Sequence, residues 1–139
     1  MTTERTIYLV ACVAKKRAGV MEAQDLYASE WFLRARAFVE RAQSPWFILS
    51  ARYGLLAPQK RIGPYDQTLN TMKTAHRQTW AADVRRQMDV ELPDAQRCVV
   101  LAGERYREFL MDYLNERFVT EVPMRGLTLG KQLRWLTPP

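Results

Sequence analysis

The chain has 139 residues, of which 47% are hydrophobic and 26% are charged. These values suit one globular domain over residues 1–139 and argue against a disordered chain. No apolar run approaches the roughly 20 residues of a membrane-spanning helix, and no apolar segment of a signal peptide follows the N-terminus. We therefore expect a cytoplasmic protein with no membrane partner. The formal charge of +6 favours phosphate-rich partners.

Four apolar runs predict buried strands, at residues 6–13, 46–50, 98–102 and 118–122. Helices are predicted from the N-cap Ser29 to about Gln43, from about Thr71 to Glu91, after Gly103, and over residues 131–136. This alternation predicts an α/β fold. We expect a single three-layer domain with a mostly parallel sheet of about four strands and helices on both faces.

Cys12 and Cys98 both lie within apolar runs. In a reducing compartment they are expected as thiols, and together with a single histidine they do not make the ligand set of a structural zinc site. We expect neither a metal nor a cofactor. Cys98 is assigned to the core, whereas Cys12 is either a buried side chain or a nucleophile near Lys15.

The polar motifs follow the predicted strands. In an open parallel sheet, ligands bind outside the carboxyl ends of the strands, and here those ends are residues 11–16, 50–54, 102–106 and 123–126. The basic residues 15–17 form either a solvated loop or a phosphate site. Gly103 stands at a strand-to-helix junction, which is either a tight turn or a place where a ligand approaches free amides.

A loop of about twenty residues, 51–70, follows the second strand, and long loops of this kind are often functional. It contains Asp66, which could activate water or accept a sugar hydroxyl. The alternative for Asp66 is an Asx turn or a helix cap. Tyr53 and Tyr65 could stack on a base or pack in the core with bonded hydroxyls. We predict that one pocket, with Lys15 or Lys16 at its rim, is lined by Ser50, Tyr53, Gly54, Tyr65, Asp66 and Gly103.

Residues 25–32, 48–56, 64–69, 101–107 and 126–135 together resemble a family of short, uncharacterised bacterial and phage proteins. A more distant resemblance is to the YaaA family, which is linked to peroxide stress and DNA binding. Its Ser, Tyr-Gly and Pro-Tyr positions look like Ser50, Tyr53, Gly54, Pro64 and Tyr65. Asp66 stands where that family has a basic residue. The resemblance implies nucleic-acid or nucleotide handling.

These patterns lead to two main hypotheses and a set of candidate residues. The first hypothesis is an enzyme that acts on a nucleobase or an N-glycosidic bond in modified or damaged DNA. The second is a non-catalytic DNA-binding protein used in stress protection or by a phage; a plain small-molecule binder is a third. The candidate catalytic residues are Asp66, Tyr65 and Lys15. The candidate substrate-binding residues are Cys12, Lys16, Tyr27, Ser29, Ser50, Tyr53, Gly54, Gly103, Tyr106 and Arg125.

Overall fold

The computed structural model describes residues 5–11 and 15–139. The strands are β1 (Thr6–Ala11), β2 (Met21–Glu22), β3 (Trp46–Ser50), β4 (Gly54–Leu56), β5 (Arg61–Ile62), β6 (Arg97–Leu101) and β7 (Val119–Glu121). The α-helices are α1 (Ala23–Leu26), α2 (Glu30–Ala42), α3 (Thr74–Glu91), α4 (Glu104–Arg107), α5 (Met111–Arg117) and α6 (Leu129–Leu136), and a 3-10 helix spans Leu69–Thr71.

Five of the strands form one sheet in the order β4-β3-β1-β6-β7. The central strand β1 pairs in parallel with β3 on one side and with β6 on the other, and β6 pairs in parallel with β7. The four predicted strands are therefore neighbours in one mostly parallel sheet, and the predicted fold class is confirmed. Their continuous apolar character follows from this position, because Ile7, Leu9 and Val100 are fully or almost fully buried.

Helices cover both faces of the sheet. The chain passes through α2 from β1 outward to β3, and then through α3 from β3 back across to β6. Because parallel crossovers are right-handed, these opposite directions place α2 and α3 on opposite faces. The buried face of α2 carries Phe32, Ala35 and Val39. The spacing pattern predicts Trp31 and Phe38 for that face, but both are half-buried and face the side where α6 packs.

The long loop predicted over residues 51–70 contains secondary structure of its own. Residues 54–56 form β4, which pairs antiparallel with β3 as a hairpin, and residues 61–62 form β5, which pairs with β2 in a small separate ribbon. Thr68 then caps the 3-10 helix by accepting a hydrogen bond from the backbone N–H of Asn70. The prediction of an irregular loop is therefore wrong. The sequence pattern does not reveal these strands because they are only two or three residues long.

The helix predicted after Gly103 is divided into α4 and α5. Helical spacing predicts an apolar stripe of Tyr106, Phe109, Leu110, Tyr113 and Leu114. Of these, Tyr106, Leu110 and Leu114 are buried, so the stripe is largely confirmed. Cys98 in β6 is completely buried, and this burial raises the pKa of its thiol to about 12. Cys98 is therefore a neutral core side chain. Within the described residues, no helix is both long enough and apolar enough to cross a membrane.

Candidate functional site

The topology creates a crevice at the carboxyl edge of the sheet. From β1 the chain moves to one side of the sheet to form β3, and it later crosses to the other side to form β6. The carboxyl ends of β1 and β6 flank this change of direction, which is where open α/β sheets bind ligands. Ala11 at the end of β1 and Gly103 after β6 both line a cleft of about 400 Å³ there. We call it the central cleft.

A second cleft, of about 560 Å³, lies next to the central cleft and contains the predicted acid–base group. It is lined by Lys15, Lys16, Pro64, Tyr65, Asp66, Gln67, Thr68 and Asn70. We call it the lysine cleft. Lys15, Tyr65 and Asp66, the three candidate catalytic residues, therefore converge on one cavity. Lys16 lies there with them, as predicted for the rim of the site.

Asp66 is exposed, and its carboxylate makes no hydrogen bond or ion pair with the other described residues. The cap of the 3-10 helix is Thr68, whose hydroxyl accepts from the N–H of Asn70 at 3.2 Å. The structure therefore gives no support to the alternative in which Asp66 is a helix cap. Its carboxylate is available to a ligand in the lysine cleft.

A chain of buried hydroxyl groups lies beneath Asp66. The Ser50 hydroxyl donates to the Tyr65 hydroxyl at 2.8 Å, and the Tyr65 and Tyr27 hydroxyls are 2.7 Å apart. Ser50 also accepts a hydrogen bond from the N–H of Tyr53 at 3.1 Å. Tyr65 is only 7% exposed and Ser50 is fully buried. These groups fix the segment that carries Asp66, so Ser50 and Tyr27 support the site from below.

The tyrosines that were considered for base stacking are packed against protein. The rings of Tyr53 and Tyr65 contact each other edge to face at 5.6 Å, and the ammonium of Lys16 lies over the Tyr65 ring at 4.3 Å. The packing alternative therefore describes Tyr53 and Tyr65 better. Two aromatic side chains, Trp31 and Tyr106, line the central cleft, and the indole N–H of Trp31 donates to Gln132 at 2.9 Å.

The central cleft combines apolar side chains with the N-terminal ends of helices. Trp31, Leu129 and Leu133 supply apolar surface. The first amides of α2 lack acceptors within the helix, as at any helix start. Ser29 caps one of them by accepting from the N–H of Phe32 at 3.2 Å. Such amides attract anionic or carbonyl groups of a ligand. Gly103 has φ −66° and open space at its Cβ position, so a ligand can approach the backbone there.

A third cleft, of about 230 Å³, continues the edge past β6. Its lining includes Gly103, Glu104, Arg107, Met124 and Arg125 together with Trp31 and Gln132. We call it the arginine cleft. The Nε of Arg107 donates to the carbonyl of Ala102 at 3.2 Å, which holds the guanidinium at the end of β6. Arg125, a candidate phosphate-binding residue, is exposed there.

The predicted single pocket is therefore only partly correct. Tyr53 and Gly54 line a different cavity, with Trp80 and Gln87. Tyr106 is buried, and its hydroxyl accepts from the N–H of Leu69 at 3.3 Å, although its side chain also reaches the central cleft. Gly103 lies in the central and arginine clefts and does not line the lysine cleft. Cys12 lies outside the described residues.

The lining residues that the sequence does not single out include Trp31, Asn70, Arg107 and Gln132. The spacing pattern assigns Trp31 to the core face of α2, and Gln132 lies in a helix with no motif to single it out. Asn70 stands at the end of the long loop, next to the predicted helix start. A polar residue at that position is the one available signal, since loop ends near a sheet edge often carry function.

Two comparisons with known proteins bear on this chain. The sequence model of a family of unknown function (DUF6884) matches residues 7–138. The chain is also similar to the uncharacterized protein YfjM of Bacillus subtilis (strain 168). The two are 30% identical over 121 residues, which cover 81% of this chain and 79% of YfjM. The family model therefore covers nearly the whole chain.

Proposed function

The chain belongs to the family of unknown function DUF6884, and we propose that it binds a nucleotide or nucleic acid at the carboxyl edge of its sheet and acts on the nucleobase linkage. The observation that carries this proposal is the lysine cleft. It brings the carboxylate of Asp66, which has no partner among the described residues, together with two ammonium groups in one cavity. Cations bind phosphate, and a nearby carboxylate can accept a proton from water or from a sugar hydroxyl.

In the proposed reaction, Lys15 and Lys16 hold a phosphate and Asp66 orients a water molecule. The water oxygen attacks the sugar carbon of an N-glycosidic bond, and Asp66 accepts a proton from this water. The carbon–nitrogen bond breaks, the base leaves with the bonding electrons, and it takes up a proton from solvent. Within a duplex the target nucleotide would have to be flipped out of the stack, which is easiest for a modified or damaged base.

The main alternative is a DNA-binding protein without catalysis. It would use the same cations on the phosphate backbone, with little sequence preference, but it gives Asp66 no role. The lysine cleft places Asp66 next to Tyr65 and the two lysines, which favours the enzyme, whereas a flat basic face would favour plain binding. The distant resemblance to the YaaA family supports the same ligand class for both. We place either activity in the cytoplasm.

The experiment compares the wild-type protein with Asp66→Asn. The measurement is the release of free base, by chromatography, from a panel of modified deoxynucleotides and short oligonucleotides. We expect wild-type protein to release base from at least one substrate and Asp66→Asn to lose this turnover. Binding of that substrate and the melting temperature should stay nearly unchanged, because the Asp66 carboxylate bonds to no other described residue.

Asp94→Asn is the matched control, because Asp94 lines none of the three clefts. This variant should keep full turnover. Turnover by Asp66→Asn at the wild-type rate would contradict the role of general base. Binding without release of base from any substrate would favour the non-catalytic alternative.

A further inference from the structure

The three clefts share lining residues. Asn70 lines both the lysine cleft and the central cleft. Trp31, Gly103 and Gln132 each line both the central cleft and the arginine cleft. Shared lining residues place the three cavities side by side along the carboxyl edge of the sheet. We call this row of clefts the carboxyl-edge groove.

Charge is distributed along this groove in a definite order. Lys15 and Lys16 lie at one end, and Arg107 and Arg125 lie at the other. The described lining of the central cleft contains no cation. Its one charged residue, Glu30, is paired with Arg34 at 2.6 Å. Asp66 shares the first end and Glu104 shares the second, so each end has two cations and one carboxylate, a net charge of +1, on either side of a central cleft without a described cation.

We propose that the groove accepts a nucleoside with a phosphate on each side, which is how each internal nucleoside occurs in a single strand of nucleic acid. This proposal rests on the proposed function and specifies its ligand class. The nucleoside occupies the central cleft, one phosphate binds at the lysine cleft, and the other binds at the arginine cleft. Trp31, oriented by its hydrogen bond to Gln132, offers an aromatic surface to the base.

The order of charges distinguishes this ligand from two others. A nucleoside monophosphate would engage a single cationic end and leave the other unused. A dinucleotide cofactor carries its phosphates in the middle and its two bases at the ends, which is the reverse of the order in the groove. A nucleotide within a strand is the ligand whose two outer groups are both anionic.

The arginine cleft has the features of a phosphate site. Arg107 is half-buried and is held by its Nε donating to the carbonyl of Ala102. Arg125 follows β7 on a tight turn, in which its N–H donates to the carbonyl of Val122 at 3.1 Å. Neither guanidinium forms an ion pair with a carboxylate of the described chain. Planar guanidinium groups suit bidentate binding of phosphate oxygens.

The test uses two probes that differ by one phosphate, thymidine 5′-monophosphate and thymidine 3′,5′-bisphosphate. Affinities of both are measured by calorimetry for the wild-type protein, for Arg125→Ala, and for Lys15→Ala with Lys16→Ala. We expect the bisphosphate to bind the wild-type protein about tenfold more tightly, the scale of one charge-assisted contact. Arg125→Ala should remove most of that advantage and leave binding of the monophosphate unchanged.

Arg105→Ala is the matched control, because Arg105 is an exposed arginine in α4 that does not line the groove. It should leave both affinities unchanged. The lysine variant should bind both probes more weakly than the wild-type protein. If it does, but the wild-type protein binds the two probes with equal affinity, the two-phosphate groove is overturned and the proposed function stands. Failure of the lysine variant to change either affinity would overturn both proposals.

Discussion

The hydroxyl of Tyr65 connects the segment that carries Asp66 to the end of β3. It accepts from Ser50 and shares a hydrogen bond with Tyr27, and all three residues are buried. A buried hydroxyl that loses its partner cannot bond to water instead, and this loss destabilises the folded state. Tyr65 is therefore a positioning residue, and the backbone next to it sets where the Asp66 carboxylate lies.

Tyr65→Phe tests this network. Removing the hydroxyl takes an acceptor from Ser50 and a partner from Tyr27, so we expect the free energy of unfolding to fall by about 1–3 kcal/mol. The measurement is urea unfolding followed by fluorescence. Tyr53→Phe is the matched control, because the one hydrogen bond of the Tyr53 hydroxyl to another described residue is a long bond of 3.4 Å to the carbonyl of Gly63. An equal loss in both variants would contradict a special role for Tyr65.

At this scale the sequence indicates which residues meet but not how they bond. Lys15 and Asp66 converge because one follows a strand end and the other lies on a loop that returns to the same edge. The bond between Ser50 and Tyr65 depends on side-chain orientation across fifteen residues, and no periodicity reports that. For the same reason the sequence does not reveal that Tyr53 is packed against protein.

At the scale of elements, the β3–β4 hairpin turns through residues 51–53, and Gly54 follows this turn with a φ of +75°, which is favourable for glycine. The side chain of Gln87 in α3 closes over this turn. Its Oε1 accepts from the N–H of Leu55 at 2.8 Å, and its Nε2 donates to the carbonyl of Tyr53 at 3.1 Å. A Cβ at position 54 would collide with the Oε1 of Gln87. Gln87 therefore joins α3 to the hairpin by two hydrogen bonds.

Gly54→Ala should therefore destabilise the fold by more than about 1 kcal/mol, since it adds strain at a positive φ and displaces Gln87. Gly103→Ala is the comparison, because Gly103 has φ −66° and open space around its Cβ position. It should leave the free energy of unfolding unchanged or raise it slightly, and it should lower the affinity for ligands that bind in the central cleft. Thermal unfolding of both variants measures the difference. A melting temperature for Gly54→Ala equal to that of the wild-type protein would refute the steric argument.

The strands β1, β3 and β6 could be predicted because each is a continuous apolar run that the sheet largely buries. The fourth predicted strand, β7, has three residues at the sheet edge, and its Val119 is exposed. The short strands β4 and β5 could not be predicted. They have three and two residues, and each is defined by pairing with another segment and not by a local pattern. The break between α4 and α5 likewise leaves the apolar stripe of Tyr106, Leu110 and Leu114 intact, so the periodicity does not reveal it.

At the scale of the whole molecule, a net charge of +6 gives a long-range attraction for any polyanion. Attraction of this kind does not by itself define a site. Among the cations of residues 15–17, Lys15 and Lys16 line a cleft, whereas Arg17 is exposed and lines none of the three clefts. A localised site would make the salt dependence of binding sensitive to those two lysines and insensitive to distant ones.

The most direct measurement is the salt dependence of the affinity for a short single-stranded oligonucleotide, by fluorescence anisotropy. Loss of one neutralised phosphate, the one that Lys15 and Lys16 hold together, should flatten the slope of log affinity against log salt by roughly 0.7. We predict this flattening for Lys15→Ala with Lys16→Ala. We predict no change for Lys60→Ala with Lys73→Ala, two exposed lysines that line no part of the groove. Equal slopes for the wild-type protein and both double variants would contradict binding at the carboxyl edge.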